Sequence, residues 1–306
     1  MSSECEICKE TFKNDKGLHM HISKMHKITL AEYYVNLFGR KDLHSGCLLP
    51  FKNKNDYFDN DFINYDNFLS WIEYANKDEV KLYLLKRLKG RIEQKDLLFA
   101  PGHIELLLND LPSIDLYKDF FNSYSAACGE LKIKPLFNKN IMENFFKEDV
   151  FFDELKILVD TREQQPLQFP KHMFMKLDFG DYAIGKPYYD YTYVDRKSES
   201  DFKGTFSTGI KRFRRELDRA KEFSSYLFIV TESSISKIIE NNDHGPHRSN
   251  LSYIWHNMRS VMHDYPGSCQ FIFSGSRESS SFLIPRLLFY GKKLWDTDMQ
   301  YFIDKR

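Results

Sequence analysis

Across 306 residues, Lys+Arg and Asp+Glu each number 44, so the formal net charge is zero and any polyanion has to be met by local basic patches. The five cysteines are one C-x2-C pair (Cys5, Cys8) and three isolated residues (Cys47, Cys128, Cys269), which argues against a disulfide framework and for a reducing compartment. No run approaches the roughly 18 apolar residues of a membrane span, and Met1-Ser2-Ser3-Glu4-Cys5 lacks a basic-then-apolar leader. The expectation is a soluble, intracellular chain of the cytoplasm or nucleus, not secreted, with no membrane partner and no small-molecule substrate.

The length suits two or three folded units, and the pattern separates three segments: 1–28, 29–150 and 151–306. The fold class this implies is multidomain: a small ββα finger, a mainly α middle region and a C-terminal α/β domain.

In the first segment, Cys5-x2-Cys8-x12-His21-x4-His26 has metal-ligand spacing, with Phe12 and Leu18 at the two apolar positions a ββα finger needs. Four such ligands in a tetrahedron suit Zn²⁺, whose binding supplies folding free energy that so short a segment lacks. The pattern resembles the C2H2 zinc-finger family. That family's base-reading positions fall on Asn14, Gly17 and Met20, a poor set of hydrogen-bonding side chains. A single finger contacts about three base pairs. Phosphate contacts through Lys13, Lys16 and Lys24 are therefore the expected role, with protein contact as the alternative.

The second segment reads as helices. Thr29-Leu30-Ala31-Glu32 is a helix start of the S/T-x-x-E type, and Tyr65–Arg91 carries apolar residues at Phe68, Leu69, Ile72, Ala75, Val80, Leu84, Leu85 and Leu88. Ala100-Pro101-Gly102-His103, Leu111-Pro112-Ser113 and Phe121-Asn122-Ser123-Tyr124, followed by Ala127 and Leu131, faintly resemble the DNA-binding repeat that accompanies homing endonucleases. The chain departs from that repeat at Asn122 and Tyr124, where the family prefers Gly and Trp. Physically the stretch is short helices joined by Pro and Gly turns, compatible with a helix-turn-helix or with a helical spacer.

After residue 150, β-branched runs alternate with amphipathic helices, as in an α/β domain. Strands are expected at Lys156–Asp160, Met175–Ile184, Tyr191–Arg196, Tyr226–Val230 and Gln270–Phe273, with Asn250–His263 and Ser279–Leu294 as the remainder of the fold or a cap on it. The first strand ends in Asp160 and is followed by Arg162 and Glu163; the second carries Gly180-Asp181-Tyr182; the third continues as Asp195-Arg196-Lys197-Ser198-Glu199-Ser200-Asp201. Strand alternation puts Asp195 and Lys197 on one face and Arg196 on the other. If the second and third strands pair as a hairpin, Asp181 lies beside Asp195. Two converging carboxylates make a hard oxygen site for Mg²⁺ or Mn²⁺, with Asp160 and Glu163 completing the coordination or holding its waters. Lys197 is then placed to orient or deprotonate a water, or to stabilise charge on phosphorus.

Val159-Asp160-Thr161-Arg162-Glu163, Gly180-Asp181-Tyr182 and Asp195-Arg196-Lys197-Ser198-Glu199-Ser200-Asp201 together resemble the XPF-type nucleases, a branch of the PD-(D/E)xK restriction-endonuclease-like superfold. The match spans roughly residues 155–232. The resemblance implies metal binding by Asp181 and Asp195, catalytic participation by Lys197, supporting roles for Asp160, Arg162, Glu163 and Asp201, and a 5′-phosphate product. Asp195 stands where the family usually has Glu and reaches about one methylene less far. No tandem helix-hairpin-helix pair is recognisable before Arg306, so the resemblance alone does not carry over junction specificity and dimerisation, and a homodimer or protein partner is left open.

The helix from about Thr208 to Phe223 points to DNA. Its apolar stripe is Ile210, Phe213, Leu217 and Ala220, leaving Lys211, Arg212, Arg214, Arg215, Arg219 and Lys221 toward solvent. From Arg196 to Lys221 there are nine Lys/Arg and four Asp/Glu, a phosphate-binding footprint in a neutral chain. The alternative is a solvated face bridged to Glu216, Asp218 and Glu222. The remaining histidines, His244, His247, His256 and His263, read as loop and surface residues, and Cys47, Cys128 and Cys269 as reduced thiols.

The expected activity is a metal-dependent DNA endonuclease, either specific for branches and flaps in repair or recombination or targeted to a site as homing enzymes are. The rival from another class is a catalytically inactive DNA-binding scaffold.

Overall fold

The computed structural model describes residues 3–147, 150–244 and 248–306. The chain divides into two compact units: one runs to Asp96 and takes in Asp110–Lys132, and the other comprises Leu97–Asn109 and Ile133–Arg306.

In the first unit a two-stranded hairpin, β1 (Ser3–Glu4) and β2 (Thr11–Phe12), precedes α1 (Asp15–His21). Asn14 caps α1, its side chain accepting from the Gly17 N–H. The next turn, Ile22–His26, is a π-helix, because a five-residue step returns to the same face only when the turn is widened beyond the α geometry. The spacing His21-x4-His26 is thereby accommodated. Four helices follow: α2 (Leu30–Phe38), α3 (Lys54–Asp59), α4 (Tyr65–Ile72) and α5 (Lys77–Lys95). Thr29 and Glu32 form a complete capping box on α2, while Asn53, Asn64 and Asn76 cap the next three through their side chains. The finger does not close a core of its own. Cys5, Leu18 and Ile22 are buried in one cluster with Tyr33, Tyr34, Leu49 and Tyr57, so the expected boundary at residue 28 runs through shared packing.

The middle region is helical as expected but is divided between the units. Helix α6 (His103–Leu108) belongs to the second unit, while α7 (Ile114–Phe121) and α8 (Tyr124–Glu130) belong to the first. Asn122 takes a left-handed φ of 66° at the end of α7, so Asn does here what Gly does elsewhere, and Ser123 caps α8.

The second unit is built on six strands: β3 (Ile157–Asp160), β4 (His172–Met175), β5 (Tyr182–Ile184), β6 (Thr192–Lys197), β7 (Tyr226–Thr231) and β8 (Cys269–Phe273), in the spatial order β4-β3-β5-β6-β7-β8. Pairing is parallel for β3 with β4, antiparallel from β3 through β5 to β6, and parallel again from β6 through β7 to β8. Two parallel crossovers carry helices: α9 (Glu199–Ser207) and α10 (Ile210–Glu222) between β6 and β7, then α11 (Ile235–His244) and α12 (Leu251–Asp264) between β7 and β8. Helices α13 (Arg277–Tyr290) and α14 (Met299–Asp304) complete the unit.

Strand β7 is buried at every position, as a central parallel strand covered on both faces must be. Leu227 and Ile229 face Phe202, Phe206, Phe213, Leu217 and Met258, whereas Tyr226, Phe228 and Val230 face Leu283, Ile284, Leu287 and Met299. The unit is thus an α/β sandwich with helices on both sides of one sheet.

The expected strand Met175–Ile184 is corrected to two strands on either side of the loop 176–181. His172–Met175 forms an exposed edge, and the chain turns before re-entering the sheet at Tyr182. That loop is what delivers Asp181 to its position.

Candidate active site

The loop before β5 is gripped almost residue by residue. Asp160, at the end of β3, takes the Leu177 N–H on Oδ2 at 2.7 Å and the Arg162 N–H on Oδ1 at 2.8 Å. The Arg162 guanidinium adds bonds of 2.7 and 3.0 Å to the same carboxylate and donates to the Leu177 carbonyl. Burial works against the Asp160 charge, but these donors hold its carboxyl below the ordinary range. Gly180 follows with φ +59°, and a Cβ there would lie 2.7 Å from the Val194 carbonyl, so only glycine permits this approach. Immediately after it, Asp181 donates its N–H to that carbonyl at 2.8 Å and accepts the Asp160 N–H at 2.8 Å.

Because Tyr182 pairs with Val194, Asp181 stands opposite Asp195 across the hairpin. Its Oδ2 takes the Arg196 N–H at 2.8 Å. Burial and then the neighbouring Asp195 charge push the Asp181 carboxyl up to about 8. Lys197, on the same strand face as Asp195, places Nζ 2.9 Å from Oδ2 and 3.0 Å from Oδ1 of that residue. The Phe213 ring of α10 lies 5.5 Å from the same ammonium. Burial opposes the Lys197 charge, yet Asp195 more than offsets it and the pKa is raised. The pairing favours the cation, which fits the expected role of charge stabiliser better than that of proton acceptor.

The four expected acidic ligands do not converge. Among the described residues, only Cys5, Cys8, His21 and His26 bring three or more ligand atoms within 4.8 Å of one another. Asp181 and Asp195 meet, but Asp160 is saturated by Arg162 and Leu177. Glu163 turns its Oε1 to the Gln165 N–H at 2.7 Å and the Arg196 guanidinium at 3.0 Å. Arg196 also pairs with Glu232 at 2.9 Å, and Glu232 reaches Arg277 at 3.1 Å. This chain of alternating charges fixes the loop after β3 to the ends of β6 and β7. Asp181, Asp195 and Lys197 open into a polar cavity of about 1020 Å³, whose wall also carries Glu163, Ser200 and Arg212.

Asp201 lines that cavity too, and it has a local duty: Ser198 donates to its carboxylate at 2.7 Å and accepts its N–H at 3.1 Å, closing the first turn of α9. On α10 the apolar stripe Phe213, Leu217 and Ala220 is buried as expected. Lys211, Arg212 and Arg215 are exposed. Arg214 departs from the expected solvent-facing role, since its guanidinium bonds Asp264 at 2.7 Å and the Ser260 hydroxyl at 2.9 Å. Two residues escaped the sequence reading. Glu216 belongs to the site, not to a solvated face: its carboxyl takes the Gly180 N–H, and burial and then Asp195 raise its pKa. Glu232 had no signal beyond lying at the end of a strand.

In the finger, Cys5 Sγ lies 3.3 Å from His26 Nε2, Cys8 Sγ 3.2 Å from His21 Nε2, and the two Nε2 atoms 3.1 Å apart. A tetrahedral zinc with bonds of about 2.0–2.3 Å has ligand-to-ligand edges of about 3.3–3.8 Å; the donor set suits that ion, and the separations sit at or just below those edges. Asn14 is committed to capping, while Lys13, Lys16 and Lys24 are exposed. Of the histidines read as surface groups, His244 and His256 are exposed, His256 lying 2.6 Å from Arg259, whereas His263 is corrected: it is half-buried, 2.9 Å from Glu105. His247 lies outside the described residues.

No family model and no curated protein matches the chain. Among solved structures it is similar to XPF from Aeropyrum pernix at 20% identity and a TM-score of 0.34, over 45% of this chain and 67% of that one. It is likewise similar to XPF from Aeropyrum pernix in complex with DNA, at 21% identity and a TM-score of 0.35, over 45% of this chain and 66% of that one. No helix among the described residues is long and apolar enough to cross a membrane.

Proposed function

We propose that the chain is a divalent-metal-dependent endodeoxyribonuclease. The observation that carries this reading is the meeting of Asp181, Asp195 and Lys197 on the wall of an open polar cavity that also exposes Arg212. Two adjoining carboxylates, one driven to keep a proton near neutrality, form a site deficient in positive charge. Oxygen donors with neither thiolate nor imidazole on the cavity wall suit Mg²⁺ or Mn²⁺ better than zinc. Such an ion, held by Asp181 and Asp195, supplies Lewis acidity and a bound water of lowered pKa.

The chain's own groups do the rest. Lys197 stays charged and offsets the negative charge that grows on phosphorus. Arg212, Arg215 and Lys211 hold the strand by its phosphates. Glu163, fixed through Arg196, holds its loop in place as part of the cavity wall. The water oxygen bonds to phosphorus and gives up a proton to solvent as the P–O3′ bond breaks and O3′ takes one up, leaving a 5′-phosphate and a 3′-hydroxyl. The finger, carrying zinc on Cys5, Cys8, His21 and His26, and the helices of the first unit are assigned to substrate choice, with Lys16 as a phosphate contact.

The test is cleavage of linear, flap, fork and four-way DNA in Mg²⁺ and in Mn²⁺ by the full chain and by Asp181→Ala and Lys197→Ala variants. Preference for the branched forms favours a repair or recombination role, and cutting of one linear sequence favours a site-targeted enzyme. Tight binding with no cutting in either metal identifies an inactive scaffold and refutes the nuclease reading.

A further inference from the structure

A second concavity of about 510 Å³ abuts the acidic cavity, and Arg162 and Arg212 line both. Its remaining wall is Asp178, Arg215, Glu216 and Arg219, so four guanidinium groups surround it against two acids. Of those acids, Glu216 is turned to the Gly180 N–H, and burial raises its carboxyl above the ordinary range.

The arginines fall into two kinds. Arg162 is fixed by Asp160 and the Leu177 carbonyl, and Arg219 by the Asp178 carbonyl at 3.1 Å with its guanidinium 5.3 Å from the Phe179 ring. These two are therefore held in place before any ligand arrives. Arg212 and Arg215 are exposed and, among the described residues, make no ion pair. Planar guanidinium donors converging on one hollow match the oxygens of a phosphate, in contrast to the carboxylate pair next door, which would repel it.

We propose that Arg162, Arg212, Arg215 and Arg219 form a phosphate-binding pocket distinct from the acidic site, which takes a phosphate of the bound strand other than the one cut. The identity of the strand rests on the nuclease reading; the pocket itself does not. Its walls are also the grips on the loop that carries Asp181: Arg162 and Arg219 bond the carbonyls of Leu177 and Asp178, and Glu216 the Gly180 amide. A phosphate seated there braces the same loop that presents the carboxylate. The phosphate is either internal to a strand or terminal at a nick.

The experiment measures binding of the full chain, in buffer free of Mg²⁺ and Mn²⁺ so that nothing is cut and the finger's zinc is kept, to labelled duplexes each carrying one neutral methylphosphonate in place of a phosphate. One or two positions are expected to cost the native chain about tenfold in affinity and to cost an Arg215→Gln variant nothing, with the salt slope of that variant reduced by about one. A nicked duplex bearing a 5′-phosphate is compared with the same nick bearing a 5′-hydroxyl. A gain from the terminal phosphate that Arg215→Gln abolishes assigns the pocket to a strand end, and equal affinity assigns it to an internal phosphate. Unchanged affinity, salt slope and position profile in Arg215→Gln overturns the proposal. Cutting in Mg²⁺ is scored separately: a native chain that shows the Arg215-dependent profile but never cuts keeps the pocket and loses the nuclease reading.

Discussion

Lys197 holds its ammonium 2.9 Å from one oxygen of Asp195 and 3.0 Å from the other, two residues back on the same strand face. The pairing favours the charged lysine, so the part proposed for it in catalysis is electrostatic. Replacing it by Met is expected to lower the single-turnover cutting rate by about 10²–10³, the cost of removing one charged stabiliser of a phosphoryl-like transition state. The pH–rate profile of the native chain should then show no limb from a lysine losing its proton near neutrality. An Arg at position 197 that restores part of the rate supports the charge reading; a Met variant cutting at the native rate refutes it.

Asp181 provides a pH signature that can be read without DNA. Its folded carboxyl is pushed up to about 8, against about 3.9 in an unfolded chain. Between those values the folded form binds the proton that the unfolded form has released, so this group's contribution to stability falls as the pH rises from about 4 to about 8. Without Mg²⁺ or Mn²⁺, and with the finger's zinc in place, the stability difference between the native chain and Asp181→Asn should therefore shift in favour of the Asn variant as pH rises across that window. Mg²⁺ or Mn²⁺ should restore the native chain at the alkaline end and leave the Asn variant unaffected. Denaturant titrations at several pH values check this; parallel curves for the two proteins would count against the raised pKa.

Asp160 is predicted to act on the fold and not on the metal. Its two oxygens are occupied by the Arg162 and Leu177 N–H groups and the Arg162 guanidinium. Asp160→Ala would leave the buried Leu177 amide without its acceptor, a loss of about 1–3 kcal/mol in stability. Affinity for Mn²⁺, measured by calorimetry on the folded variant, should stay close to native. Asp181→Asn should show the opposite pattern, with metal affinity lost and stability kept or gained. If Asp160→Ala loses metal binding at native stability, the carboxylate is a ligand after all.

The sequence made some of this visible and hid the rest for definite reasons. Strands β6, β7 and β8 announce themselves as apolar, β-branched and aromatic runs, two-residue alternation puts Asp195 with Lys197, and the hairpin pairing of β5 with β6 sets Asp181 opposite them. Strand β4 carries His-Met-Phe-Met with every residue exposed and no β-branched member, so no local pattern marks it as a strand. Asp160 looks like a ligand because an acid at a strand end is where ligands sit, and its real partner, the Leu177 amide, is fixed only by how the loop folds back. Glu216 lies within a run of charges that reads as solvated; the helix's rotation against Gly180 half-buries it, and that rotation is a tertiary property. Arg214 illustrates the reverse error, a basic residue in the right run whose charge is taken by Asp264.

The finger yields the last prediction, because its core is not separable from the helices after it. Cys5, Leu18 and Ile22 are buried among Tyr33, Tyr34 and Tyr57, the Glu6 N–H donates to the Tyr33 hydroxyl at 2.8 Å, and His19 meets the Tyr34 hydroxyl at 3.0 Å. Structural zinc contributes folding free energy outright. About one zinc per chain is expected, and its removal by a chelator should disturb the tyrosine environment well beyond the finger itself, not merely fray residues 3–26. Near-ultraviolet circular dichroism should report this, with Cys5→Ser reproducing the effect and restored zinc reversing it in the native chain alone. Cutting of a non-specific duplex by the second unit should persist after zinc removal while discrimination among substrates declines. Loss of zinc with no change in the tyrosine signal would show that the helices hold their core without the metal, and the finger would then be a separable attachment.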